Sequence, residues 1–236
     1  MVHNIIIAEK GSESHIITGC TLHPGAKSSA HLGISEFYIK EDATLNFTMI
    51  HKWNEDTKVR PRSAAVIEDR GTFVSNYLCL KPVKDIQMFP AAICRGKESR
   101  VSFNSILYGS KNTLMDVGSK AILEGHKSRA EMVSRAIAKD SSKLIIRGII
   151  DGNDPNAMGH LECRGLLLDD TSYIQSIPEL IAQKKGVEIT HEAAVGKISE
   201  KEIVYLMTRK LTRDEAVSAI IRGFMDVGIM GLPKKL

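Results

Sequence analysis

Apolar and polar residues alternate with a period of two along most of this chain. At 45–50, Leu45, Phe47 and Met49 stand against Asn46, Thr48 and Ile50. Successive side chains of a strand point to opposite faces, so this period predicts strands. Comparable β-type runs occur at 5–8, 15–18, 36–39, 63–67, 73–80, 101–107, 143–149, 161–168 and 187–190. Polar turn clusters separate them, at 9–12, 23–27, 40–43, 54–57, 68–71, 81–84, 95–98, 109–112, 124–127, 139–142, 152–155, 168–171 and 184–186. These turns recur roughly every 14 residues and alternate ones lie roughly 28 apart, beyond the usual short-strand spacing. Helical periodicity is weak before residue 199, apart from an ambiguous stretch at 129–139.

Regular strands without intervening helices leave a sandwich, a barrel or a solenoid. The steady period favours a solenoid: a parallel β-helix in which each coil holds two strand segments and buries its inner face only against its neighbours. The pattern changes at the end. Ser199 with Glu202, and Thr212 with Glu215, each fit the S/T-x-x-E capping box and precede apolar runs. The first predicted helix carries Ile203, Leu206 and Met207 on one face; the second carries Ala216, Ile220, Phe224 and Val227, with Gly228, Gly231 and Pro233 ending it. The expected organisation is an all-β core over 1–198 with a helical tail over 199–236. By chemistry alone, the hairpin reads first as an end cap over the last coil's open edge and second as a docking platform.

Composition narrows the function classes. Of 236 residues, 43% are hydrophobic and 25% charged, which suits a packed core rather than long disorder. The net charge of +4 is mild, basic residues are dispersed and aromatics are only 5%, too few for a base-stacking platform, so no nucleic-acid partner is expected. Apolar runs such as 5–8 are far too short to span a membrane, and no signal peptide is visible before the first strand-like run. The four cysteines, Cys20, Cys79, Cys94 and Cys163, are scattered and form no C-x-x-C. A reducing cytoplasm, with free thiols, is the expected location.

The candidate chemistry clusters late in the chain. Cys163 follows His160 and Glu162 and precedes Arg164, and the pair His191–Glu192 comes in the next strand-like runs. Thiolate, imidazole and carboxylate form a ligand set for iron or another transition metal. The bland alternatives are a core thiol in the alternation Leu161, Cys163, Gly165, Leu167 and a surface His–Glu pair. Arg164 or a nearby His⁺ is expected to hold Cys163 as thiolate. His191 and Glu192 are adjacent, so both reach one metal only at a bend or strand end. Cys20 sits beside a turn at 23–25. Gly25, Lys27 and Ser28 fail the phosphate-loop spacing, so any nucleotide chemistry must come from a partner. His51 and Trp53 share one strand face, and Arg60 and Arg62 another; each pair could line an anion or sulfur path, with a solvated face preferred.

Three stretches resemble a known family: GISEFYIKEDATLNFTMIHKW, RPRSAAVIEDRGTFVSNYLCLKPVKDIQMFP and, most specifically, GHLECRGLLLDD…SIPEL…ITHEAAVGKISEKEIVYLMTRKLTRDEAVSAIIRGF. They resemble the SufB/SufD scaffold components of the SUF iron–sulfur cluster assembly system, over nearly the whole chain. The resemblance implies a right-handed parallel β-helix with C-terminal helices. It implies a non-catalytic scaffold that builds a [4Fe–4S] cluster, works with a SufC-like ABC-type ATPase, dimerises with itself or a paralogue, and passes the cluster to apo iron–sulfur proteins. Cys163 is then the cluster thiolate, with His191 and Glu192 as further ligands, and Cys20 receives sulfur. The helices carrying Ile203, Leu206, Met207, Ile220 and Phe224 become the ATPase docking site. Glu192 and Cys163 point to the SufB branch, since SufD members typically lack that cysteine and have glycine at the position of Glu192. Trp53 matches SufB proteins, whereas His51 stands where bacterial members tend to carry another polar residue. The chain begins almost at the first coil, without the N-terminal helical region of longer members, like short SufB-like proteins of archaea and anaerobes. The alternatives are a SufD-like partner without its own cluster, a β-helix polysaccharide enzyme, which would need paired carboxylates in a groove, and a filament-forming solenoid.

Overall fold

The computed structural model describes residues 2–21, 29–53 and 55–226. Its strands form two sheets, parallel in every pair. One sheet holds β1 (Val2–Ala8), β3 (Ser29–Ile39), β5 (Thr57–Ile67), β7 (Asp85–Met88), β8 (Ala91–Cys94), β10 (Leu114–Leu123), β12 (Lys143–Gly152) and β14 (Tyr173–Ala182). The other holds β2 (Glu13–Thr21), β4 (Thr44–Lys52), β6 (Thr72–Cys79), β9 (Arg100–Gly109), β11 (Arg129–Ala138), β13 (Met158–Leu167) and β15 (Glu188–Lys197). With β7 and β8 taken as one interrupted strand, the chain changes sheet after each strand and winds into a β-solenoid of about six turns. Paired residues in neighbouring coils are offset by 27 positions at the least (Lys58 with Asp85) and 31 at the most (Val2 with Gly33). This is the recurrence of alternate turns visible in the sequence.

The ambiguous stretch at 129–139 is strand β11, and four strands beyond those expected, β7, β8, β10 and β14, complete the coils. Each hides its period for a physical reason. In β10 the inner positions include the small Ser119 and Ala121 beside Gly118, which carry little hydrophobic contrast. In β14, Pro178 lacks the N–H that a central strand would donate, but β14 ends its sheet and needs no second ladder. Pro90 likewise splits β7 from β8, while its carbonyl still accepts from the Lys120 N–H.

Inner-facing residues of the two sheets meet in one core running along the solenoid. Phe37, Phe47, Phe73 and Phe103 stack across coils, with ring centroids 4.8 Å apart for Phe37–Phe47, 4.9 Å for Phe37–Phe73 and 6.3 Å for Phe73–Phe103. The turns stack as tightly. A Cβ on Gly125 would stand 1.8 Å from the Gly96 carbonyl oxygen, so successive coils close up only because no side chain intervenes.

Two helices follow, α1 (Glu200–Met207) and α2 (Arg213–Phe224). At α2 the capping box forms in full: the Glu215 N–H donates to Thr212 Oγ1, and Glu215 Oε2 accepts from the Thr212 N–H. At α1, Ser199 is the N-cap but makes no side-chain cap bond, so the expected box is incomplete. Arg213 ties the helices together by pairing with Glu200. The hairpin does not lid the last coil. Met225, just past α2, packs on Ile50, Leu78 and Ile106, on the side of the solenoid, and Arg135 Nη1 donates to the Phe224 carbonyl at 3.1 Å. Strand β15 stays exposed along nearly its whole length. The expected helix end at Val227, Gly228, Gly231 and Pro233 lies outside the described residues.

Candidate functional site

Alternation along β13 divides its polar residues between two faces. Leu161 and Cys163, 1% and 2% exposed, face the core, while His160, Glu162 and Arg164 face outward. The register then sorts the next coil. His191 pairs with Leu161 and so takes the inner side with Cys163, whereas Glu192 pairs with Glu162 on the outer side. His191 and Glu192 lie within β15 rather than at a bend or strand end, so within one chain they project from opposite faces.

The outer group is compact. Donor atoms of His160, Glu162 and Glu192 lie within 4.8 Å of one another and could hold a cation. Arg164 pairs with Glu162 at 2.7 Å and with Glu192 at 3.4 Å, and His160 Nδ1 lies 2.8 Å from Thr190 Oγ1. In the sequence His160 and Glu162 stand beside Cys163 among the candidate ligands, but alternation turns them to the face opposite the thiol. Their shared face, with Glu192 one coil away, was the available signal.

The thiol behaves differently from expectation. Burial pushes the Cys163 pKa up, with the Ser176 hydroxyl opposing and the Glu162 charge reinforcing. Arg164 does not hold it as thiolate, because alternation aims the guanidinium at the opposite face. A metal must therefore displace the proton when it binds. Such displacement by iron is ordinary chemistry for a thiol.

Cys20 lies at the other end of the solenoid, on β2 and on the inner side. It pairs with His51, which is 2% exposed, and Trp53 follows at 8%. These two side chains do not form the solvated face expected of them; they close the first coils from within. Burial drives the His51 pKa down to about 3, with the nearby His31 adding repulsion, so the imidazole is neutral. Burial also lifts the Cys20 thiol. The turn beside Cys20, with Gly25, Lys27 and Ser28, lies outside the described residues. Arg60 pairs with Asp85, and Arg62 Nη1 donates to the Gln87 carbonyl at 3.0 Å.

A cavity of about 140 Å³ starts at Cys20 and His31 and runs between the sheets, past Ser35, Ser75 and Ser105 to Ser134. Ser134 is the register neighbour of Cys163. Five strand spacings separate the coil of Cys20 from that of Cys163, an axial distance of about 24 Å. The two thiols cannot touch, yet both face one interior.

The hairpin residues divide as well. Ile203 is 3% exposed and buried, Leu206, Ile220 and Phe224 are partly covered, and Met207 is exposed with Val204 and Tyr205. The exposed apolar side of α1 therefore differs from the expected face by the presence of Val204 and Tyr205. Among the described residues, no helix is long and apolar enough to cross a membrane.

Comparison with known proteins bears on what this interior serves. The family described as SUF system FeS cluster assembly, SufBD core domain, matches residues 1–224. An iron–sulfur cluster assembly SufBD family protein of Methanothermobacter thermautotrophicus is 52% identical over 234 residues, covering 99% of this chain and 57% of the relative. One from Archaeoglobus fulgidus is 52% identical over 235 residues, covering 100% and 63%. One from Staphylococcus saprophyticus is 28% identical over 233 residues, covering 97% and 50%. The chain thus spans about half to three-fifths of the length of these relatives. This parallel solenoid, with inward-facing Cys20 and Cys163 toward opposite ends and matched along nearly its whole length, belongs to the SufBD core family of the SUF iron–sulfur cluster assembly system.

Proposed function

We propose that this chain is a SufB-type scaffold on which an iron–sulfur cluster is built as cargo and then handed to apo-proteins. The observation that carries the reading is the placement of Cys163. It is an inward-facing thiol one strand from the open last coil, with His191 on the same side of β15 and the route from Cys20 arriving one coil below. Soft thiolate and imidazole suit iron. A single thiolate with weaker nitrogen and oxygen donors suits a cluster that must leave. Glu192, on the outer face, joins this set only through a second subunit or a rearrangement of β15.

The exposed strand β15 offers an edge for a two-fold partner, this chain or a paralogue, which would bring two ligand-poor sites together. In this reading the cargo is a [4Fe–4S] cluster. Cys20 accepts sulfane sulfur from a donor persulfide, whose thiol leaves; a two-electron thiol reductant releases it as HS⁻, and the interior cavity conducts that ion toward Cys163, since about 24 Å rules out direct thiol-to-thiol transfer. A SufC-like ABC-type ATPase docks on the helical tail, through Met207 and the partly covered Leu206, Ile220 and Phe224, with Ile203 supporting the hairpin from within. The division into a core over 1–198 and a tail over 199–236 follows the same logic: one part for the cargo, the other for the motor. The chain itself acts without catalysing a reaction, and its four unpaired thiols suit a reducing cytoplasm.

Anaerobic reconstitution with ferrous iron and sulfide tests this, with iron and sulfide analysis and a visible spectrum of wild type and Cys163→Ser. Wild type is expected to hold stoichiometric iron and sulfide, and the variant to lose both with an unchanged far-ultraviolet spectrum. Equal cluster content in the two proteins would refute the assignment. A cluster in neither would favour the SufD-like reading, a partner subunit without its own cluster, which the burial of Cys163 would then explain as packing.

A further inference from the structure

We infer that Cys20, His31 and His51 form a second metal site, for a borderline-soft divalent cation such as zinc or ferrous iron, at the mouth of the interior cavity. The site goes beyond the scaffold reading, which uses Cys20 only for sulfur. One donor atom from each residue lies within 4.8 Å of the others. The fold brings them together from three strands: Cys20 at the end of β2, His31 near the start of β3 and His51 near the end of β4. One thiolate and two imidazoles are a ligand set of open zinc sites, which keep the fourth position for water or a small anion.

The hydrogen bonding around His51 prepares it for this role. Its Nδ1 lies 2.9 Å from Tyr77 Oη, while its Nε2 is buried and has no hydrogen-bond partner among the described residues. The tautomer in which Nδ1–H donates to the phenol oxygen leaves the Nε2 lone pair free for a metal. A metal-bound histidine is commonly oriented by a hydrogen bond from its other nitrogen, as here. The rings hold one another in place: His31 and His51 meet edge-on at 5.6 Å, and Trp53 lies 4.7 Å from His31 and 5.4 Å from His51. The buried Trp53 Nε1–H, on a ring packed against both histidines, has no hydrogen-bond partner among the described residues. Cys20 and His31 also line the interior cavity, so two of the three ligands border it.

Cobalt titration of the reduced full chain under argon tests the site, because a cobalt–thiolate bond gives a charge-transfer band and tetrahedral cobalt intense visible bands. In the Cys163→Ser background, where the cluster thiol cannot contribute, Co²⁺ is expected to bind with both signatures. Adding Cys20→Ser should remove the charge-transfer band, and adding His51→Gln should weaken binding at least tenfold. Competition with Zn²⁺ and with Fe²⁺ then identifies the cation that displaces cobalt at the lower concentration. Alkylation of the wild type, mapped by mass spectrometry, needs no variant to fold: bound Zn²⁺ should slow modification of Cys20 at least tenfold. No charge-transfer band in the Cys163→Ser background, a band there that survives Cys20→Ser, or unprotected Cys20 would overturn the proposal. None of these outcomes bears on the iron and sulfide content at Cys163.

Discussion

Replacing Cys163 by alanine separates a ligand from a packing residue, because the two roles differ in what the change costs. Cys163 is 2% exposed, and its register neighbours are the small Ser134 and Ala193. Deleting the sulfur removes about one methylene's worth of buried surface, about 0.8 kcal/mol. Small neighbours on fixed strands cannot collapse into the gap, so a residual void adds a comparable amount. The expected loss is about 1–2 kcal/mol, or roughly 2–8 °C in Tm for a chain of this size. Leu161→Ala is the control. It lies two residues back on the same face, 1% exposed, and fills the space above Gly148, where a Cβ would stand 2.1 Å from Leu161 Cδ1. A void that well defined puts its cost at about 3–5 kcal/mol. Urea unfolding of the apo-proteins measures both losses, and iron and sulfide analysis after anaerobic reconstitution measures the cargo. The milder variant, Cys163→Ala, should lose the cluster, and the more damaging one, Leu161→Ala, should retain it while folded. If cluster content instead follows stability across the pair, Cys163 is a packing residue and the ligand argument fails.

Other consequences can be checked separately. Phe73→Ala removes the centre of the aromatic stack and should cost about 3–5 kcal/mol in urea unfolding, with no change in cobalt binding at Cys20. Gly125→Ala should destabilise by more than about 2 kcal/mol, well beyond an ordinary backbone effect, because its Cβ would overlap the Gly96 carbonyl oxygen; a near-neutral result would mean the turn stack yields easily. Met225→Ala should cost about 1–2 kcal/mol and speed amide exchange in α2 while leaving β9 protected, since the contact lies on Ile50, Leu78 and Ile106. The Asp169 carboxyl lies well below its ordinary value: partial desolvation raises it, but donors from Thr171, Ser172 and the Asp140 N–H outweigh that. A depressed carboxylate stabilises above its unfolded pKa and loses that contribution as pH falls through the folded one. Asp169→Asn should therefore lower stability at neutral pH and reduce the loss on acidification; an unchanged acid limb would remove Asp169 from the account.

The period of two and the recurrence of alternate turns near 28 residues determine the solenoid. Each coil must bury one face of each strand, and only in-register stacking of like coils does so. The same logic made the Thr212 capping box legible, because its two bonds are local in sequence. The small residues around Gly118 hid β10 and a proline hid β14, whose positions the neighbouring coils supply rather than their own residues. The candidate chemistry was legible as residue types but not as sites. His191 and Glu192 are adjacent in sequence, yet register sends them to opposite faces, and Glu192 joins His160 and Glu162 instead. Arg164 is next to Cys163 but cannot act on its thiol, for the same reason. His31 carried no signal of its own, since its partners Cys20 and His51 come from other strands. Which side chains meet across coils depends on the exact number of residues in every intervening turn. A one-residue change there flips each face of the next strand, and this is why tertiary structure alone decided the partners of each thiol.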